Sequence, residues 1–405
     1  MKGLEKQSTG IKAAAPESYV IPYLTGLKGY AILGIFLIHV GEGFRHIGIY
    51  ASRFVDFGKN GIVIFFIVSA LTVTLSISRK FEFTSYVVRR FIRLAGPYYI
   101  VLFFTIIFKL SIEDTAVRFK SILTHLTFTN MNFIAQEYQN SILGVEWTLP
   151  IQFWYYFIIP LMYVFLRLRH SSLFLFITGI YLFFHQMLIA YVGPNGFDWS
   201  MQKFFLTYAV GVSLYAVLFL KNNKLGLLVT ATLTLLYLFL NTIDVSEKKY
   251  FFALFILFTY QMIRDGVLLI EKRKFIQRCC RVLLLFDLPI LIGLLLRYVG
   301  RPHNLSSIFI TFWCALVIIA AKKRTTVTKI LLENRYILFF GKISYSMYLW
   351  QYPVVRLYEK VVPDQPDFIL RFIIVLGATI LISFVSYTFV EKPLNILLHT
   401  LKKTQ

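Results

Sequence analysis

Apolar runs separated by short polar linkers repeat from residue 24 to residue 390. Those at 24–44, 60–78, 95–112, 149–166, 171–192 and 204–220 have the length and composition of membrane-spanning helices. The pattern continues at 225–243, 250–263, 282–299, 305–321, 336–357 and 368–390, with 250–263 the shortest. It predicts an all-α polytopic membrane protein, a bundle of about 10–12 transmembrane helices. Residues 1–20 are polar and lack the apolar core of a signal peptide. The expected organisation is a tail at 1–20, one membrane domain at 21–395 and a second tail at 396–405.

Composition excludes a soluble fold. The 405 residues are 58% hydrophobic and 15% charged, where a soluble domain has about 25% charged residues, and mean hydropathy is +0.68. A formal net charge of +22 invites comparison with nucleic-acid-binding proteins, but the basic residues cluster in alternate linkers. Arg79, Lys80, Arg89, Arg90 and Arg93 follow the second run, and later clusters include Arg167 with Arg169, Lys221 with Lys224, and Lys322 to Arg324. The positive-inside rule then places both termini in the cytoplasm and leaves no nucleic-acid partner. Membrane lipids and anionic ligands are the partners such clusters suit. Cys279, Cys280 and Cys314 offer neither a disulfide framework nor metal-ligand spacing, so no metal is expected. The linker at 113–146 falls on the outer side, with His125, Tyr138 and several amides suited either to sugar contact or to plain solvation. Glu146 at its end is a candidate acid at a pocket mouth.

Candidate chemistry begins in the first run, LTGLKGYAILGIFLIHVGEGFRH at 24–46. Lys28 and His39 are eleven residues apart, which on a helix places them on one face, about 16 Å apart along the axis. Glu42 follows on nearly the same face and can orient an imidazole. Ionisable groups inside a span mark functional sites by default; the alternative is a histidine that bonds a neighbouring helix and holds packing. In YVVRRFIRLAGPYY at 86–99, Arg90 and Arg93 share a helical face. They suit either phosphate oxygens or an interfacial helix on anionic lipid. Gly58, Gly61, Ser69 and Ala70 permit close helix packing, and Ser69 lacks the elbow motif of a nucleophile. Trp147 suits a membrane interface, and Gln152 needs a polar partner. Tyr345, Tyr348 and Gln351 recur at three-residue spacing as a polar helix face. Glu391 and Lys392 read as an interfacial pair.

Five of these segments, in order, resemble the acyltransferase-3 family of integral-membrane O-acyltransferases. They are G-L-K-G-Y-A with His39, G-I-V-I-F-F-I-V-S, R-R-F-I-R with a following Pro-Tyr, W-T-L-P-I-Q-F-W-Y-Y, and G-K-I-S-Y-S-M-Y-L-W with V-E-K-P-L. The family's first span carries a basic residue and a histidine separated by ten residues, which maps onto Lys28 and His39. Its Arg-x-x-Arg maps onto Arg90 and Arg93. The chain departs from the pattern at Gln152, where the family usually has glutamate, at Gln351, where histidine is common, and at Ala70, where glycine is usual.

The resemblance implies transfer of an acyl group, most simply acetyl, from acyl-CoA (acetyl-CoA) to a hydroxyl of a glycan or lipid-linked sugar. His39 would be the general base with Glu42 its orienter, and Lys28, Arg90 and Arg93 would hold the donor phosphates. Trp147, Gln152, Tyr345 and Gln351 would line the substrate site. It implies the stand-alone type, without an appended esterase-like domain, and the composition suits a bacterial inner membrane. Two rival expectations are a transporter or flippase of a lipid-linked sugar and a catalytically silent relative of the family.

Overall fold

The computed structural model describes residues 21–41, 58–79, 81–130, 141–167, 204–219, 314–362 and 368–403, apart from 316 and 323 and with a few isolated positions between 46 and 56. Every regular element among them is helical. In chain order these are α1 (Pro22–Val40), a 3₁₀ turn (Gly58–Asn60) leading into α2 (Gly61–Arg79), α3 (Phe83–Ser111), α4 (Phe119–Leu126), α5 (Thr148–Arg167) and α6 (Phe205–Phe219). There follow α7 (Thr326–Leu332), α8 (Arg335–Val361), α9 (Phe368–Ser386), a π-helical turn (Tyr387–Glu391) and α10 (Lys392–Lys403).

Four helices are long and apolar enough to cross a membrane: Pro22–Val40, Gly58–Arg79, Phe83–Ser111 and Phe368–Leu398. The apolar stretches Thr148–Val164 and Thr207–Phe219 are shorter. The expected spans at 171–192, 225–243, 250–263 and 282–299, and most of 305–321, lie outside the described residues.

The bundle is assembled around α1, which packs on α8 and α2. Proline in its first turn suits a helix start, because that N–H has no intrahelical acceptor. Its contact with α7 and α8 is backbone on backbone: Gly26 faces the Leu332 carbonyl, Gly29 the Ile337 carbonyl, and Gly341 of α8 the Thr25 carbonyl. A methyl group at any of the three would run into main chain. In lipid, where tails are as apolar as leucine, such close approach is what holds helices together. The small residues of α2 behave as the sequence predicts: Gly58 lies on Gly34, Gly61 on Ala31, and Ala70 on Gly211 of α6.

The sequence places the third span at 95–112, but the helix begins twelve residues earlier, at Phe83. Glu82 caps it, its carboxylate accepting from the N–H of Thr84 at 3.0 Å and of Ser85 at 2.6 Å. The basic segment is therefore the first half of the spanning helix rather than a separate interfacial one. Along α3 the buried positions Leu94, Tyr98, Val101, Leu102 and Thr105 recur at helical spacing, while Phe103, Phe104, Ile107 and Leu110 are exposed, as a lipid-facing side should be.

The linker between α3 and α5 is pinned by a buried clasp. His125, fully buried on α4, sets Nδ1 2.6 Å from the Ser121 carbonyl and Nε2 2.9 Å from Glu146 Oε1. Glu146 also accepts from Ser141 Oγ at 2.8 Å and from the N–H of Ile142 and Leu143 at 2.7 and 3.2 Å. Burial pushes the Glu146 pKa up, but the hydrogen bond and charge of His125, with the other donors, outweigh it and hold the carboxyl below its ordinary value. Glu146 is thus a closed structural group, not an acid at a pocket mouth. Tyr138 lies outside the described residues.

Candidate functional site

Six elements converge on one cavity of about 150 Å³. The helices order its lining by sequence position. Lys28 comes from the first half of α1, Arg90 and Arg93 from the first half of α3, and Lys342 from the first turns of α8, making one end cationic. Toward the other end the wall is Ile35 of α1, Ile62 and Phe65 of α2, and Leu149 of α5. A polar belt between them carries Ser69, Gln152, Tyr156 and Tyr345.

Several polar wall residues are held by contacts to another helix or to their own. Arg90 lies between two aromatic rings, 5.6 Å from the Tyr86 centroid and 5.8 Å from that of Tyr156. Those rings are tied together by Tyr86 OH donating to the Tyr156 carbonyl at 2.7 Å. Cation–π contact holds a guanidinium without using its hydrogen-bond donors, which leaves them for an anion. Gln152 Nε2 donates to Ser69 Oγ at 3.2 Å and to Tyr156 OH at 2.8 Å. Ser69 therefore looks across to α5 and is the partner that Gln152 needs. Tyr345 OH donates to the Leu94 carbonyl at 2.6 Å, joining α8 to α3. Tyr348 OH donates to the Val145 carbonyl and accepts from Thr148 Oγ1 at 2.8 Å, joining α8 to the start of α5.

Glu391 also lines the cavity. It is not an interfacial partner of Lys392: it is buried and accepts from the Ser346 hydroxyl, while Lys392 is exposed. The π-helical turn that ends at Glu391 accounts for the difference. One extra residue per turn shifts the side-chain register, which the apolar pattern does not reveal.

Thus Lys28, Arg90, Arg93, Gln152 and Tyr345 are brought together, and three other candidates are not. Gln351 is fully buried, its Nε2 donating to the Tyr348 carbonyl at 3.2 Å. Trp147 packs against Phe204, with ring centroids 5.9 Å apart. His39 stands one helical turn beyond Ile35, half-buried and edge-on to Tyr352 of α8, with ring centroids 6.3 Å apart. Glu42 lies outside the described residues. Among the described residues no group of three or more His, Cys, Asp or Glu could hold a metal ion. Tyr156, Lys342 and Glu391 were not singled out by sequence as cavity groups. The signal for Tyr156 was its four-residue spacing from Gln152 on one helix face.

A family model described as an acyltransferase domain, that of the acyltransferase-3 family, matches residues 21–388, nearly the whole chain. The chain belongs to the acyltransferase-3 family. Its members' activity is acyl transfer, and the match together with the four apolar helices marks an integral membrane protein. No curated protein and no solved structure matches it.

Proposed function

We propose that this protein is a membrane O-acyltransferase that moves an acyl group, acetyl in the simplest case, from acyl-CoA to a hydroxyl of a glycan or lipid-linked sugar of the cell envelope. A bacterial inner membrane is the setting this reading implies. The observation that carries it is the convergence of Lys28, Arg90 and Arg93, from two helices, on one cavity whose other end is apolar. Among the described residues none of the three is spent in an ion pair. Cations facing open space within a bundle suit phosphate oxygens, and an apolar end suits an acyl chain.

His39 is the proposed general base. The cavity reaches Ile35, one turn before His39 on the same face of α1, about 6 Å along the axis. A pantetheine arm anchored at Lys28 and extended along α1 carries its thioester toward the imidazole. The acceptor hydroxyl gives its proton to a neutral ring nitrogen of His39 as its oxygen attacks the thioester carbonyl. Collapse of the tetrahedral adduct breaks the C–S bond, and the departing thiolate takes the proton from the imidazolium.

The test is binding of acetyl-CoA to the full chain in nanodiscs. Saturable binding, weakened at least thirtyfold in Arg90→Ala/Arg93→Ala, is expected. A His39→Ala variant should keep that binding and lose turnover. Absence of binding up to millimolar donor, in protein shown to be folded, overturns the reading and favours transport.

A further inference from the structure

We propose that Glu391 is a specificity-determining residue of the cavity, a built-in counter-charge that sets how tightly, and for how long, a phosphate-bearing ligand is held. This rests on the reading of the cavity as the donor site. Among the described residues that line it, Lys28, Arg90, Arg93 and Lys342 are cationic and Glu391 is the only carboxylate. Lys28 and Arg93 line the same cavity as Glu391. The carboxylate is held in place from α8 by the Ser346 hydroxyl and from its own side by the π-helical turn. Turns of that kind are frequent at functional sites.

In the empty cavity the carboxylate offsets the mutual repulsion of Lys28, Arg90 and Arg93. When phosphate enters, it and Glu391 share the same cations, so each weakens the other's hold. The cationic wall alone would bind a polyanion tightly and release it slowly. With the carboxylate present, affinity and residence time both fall, which suits a site that must discharge coenzyme A after every transfer. A purely structural Glu391 predicts the opposite sign, since neutralising it would loosen the wall and weaken every ligand.

The two signs are separated by Glu391→Gln, which retains an oxygen to accept from Ser346 and removes the charge. The probes are coenzyme A, which carries the phosphates, and pantetheine, which lacks them. Glu391→Gln is expected to bind coenzyme A about tenfold more tightly, with slower dissociation and a steeper loss of affinity with salt. Pantetheine binding should be unchanged, and Glu391→Asp should return coenzyme A affinity to within about threefold of wild type. Equal or weaker coenzyme A binding in Glu391→Gln, or a gain shared equally by pantetheine, overturns the proposal while leaving the donor site standing. Failure of the wild-type protein to bind coenzyme A overturns the donor-site reading, and this inference falls with it.

Discussion

Glu146 and Glu391 are both buried carboxylates, and their surroundings differ in kind. Glu146 is buried and accepts hydrogen bonds from His125, 21 residues away, and from Ser141 and two backbone N–H groups within five residues of it. Glu391 accepts from Ser346 and otherwise faces cations across an open cavity. A carboxylate whose lone pairs are filled by fixed donors is part of the fold, because burial without those donors would be costly. One that shares a cavity wall with Lys28, Arg90 and Arg93, which make no ion pair among the described residues, is placed to act on a ligand of those cations. The contrast separates a group that holds the linker from a group that tunes a site.

Removing the carboxylate from each region breaks this comparison most sharply. Glu146→Ala leaves His125 and two N–H groups buried without their acceptor and should cost about 3–5 kcal/mol. The same change at Glu391 leaves one buried hydroxyl, that of Ser346, without its acceptor and should cost less, about 1–2 kcal/mol. Thermal unfolding in matched nanodiscs distinguishes the two. The clasp also carries a pH signature. Because the folded pKa of Glu146 is depressed, its stabilisation is fully present above the ordinary glutamate value of 4.5 and is lost as pH falls through the lower folded value. Glu146→Gln should remove that acid-sensitive component from the melting curve.

The next effect in size is steric. A Cβ at Gly341 would collide with the Thr25 carbonyl, and main chain cannot turn aside as a flexible side chain can. Gly341→Val should therefore push α8 from α1 at a cost of about 2–3 kcal/mol. It should weaken coenzyme A binding as well, since Gly341 itself lines the cavity between the two helices. Glu146→Ala, by contrast, should lower stability more and alter ligand affinity less in the fraction that remains folded.

Lys28→Met isolates charge from packing. Methionine keeps most of the stem within the helix and deletes the ammonium, so coenzyme A affinity should fall about tenfold. The melting temperature should hold or rise, because a cation among cations is removed. A fall in stability with no loss of affinity would place Lys28 with Glu146 among the structural groups.

Lys28 was legible in the sequence because charge inside an apolar run contradicts its surroundings, and Arg90 and Arg93 because their three-residue spacing puts them on one helix face. The helix packing of α2 was legible for a similar reason, since Gly58, Gly61 and Ala70 are small where the run is otherwise bulky. The clasp was not legible. His125 and Glu146 are separated by 21 residues across a linker with no periodicity, and nothing in the linker's composition distinguishes a buried pair from a solvated one. Glu391 was misread because a regular helix was assumed through Tyr387–Glu391, where the turn is π-helical. Ser69 was read only as a small packing residue that lacks the elbow motif of a nucleophile. Its partner Gln152 lies 83 residues away on a helix whose rotation only the assembled bundle fixes.

Position 152 gives the smallest of these effects and tests the counter-charge idea from the other side. Gln152 donates both to Ser69 Oγ and to Tyr156 OH. Glutamate, which the family resemblance leads one to expect there, has no hydrogens to donate, so both hydroxyls would have to rotate and donate to it instead. Such rotation costs little, and the wall should keep its shape. What changes is the net charge of the cavity, which gains a second carboxylate. If Glu391 lowers affinity through its charge, Gln152→Glu should lower it further, about threefold for coenzyme A and not at all for pantetheine. Combined with Glu391→Gln, it should return coenzyme A affinity toward the wild-type value, because one carboxylate again faces the four cations. A double variant that binds no more weakly than Glu391→Gln alone would mean that the cavity does not sum its charges, and that Glu391 acts through its own contacts.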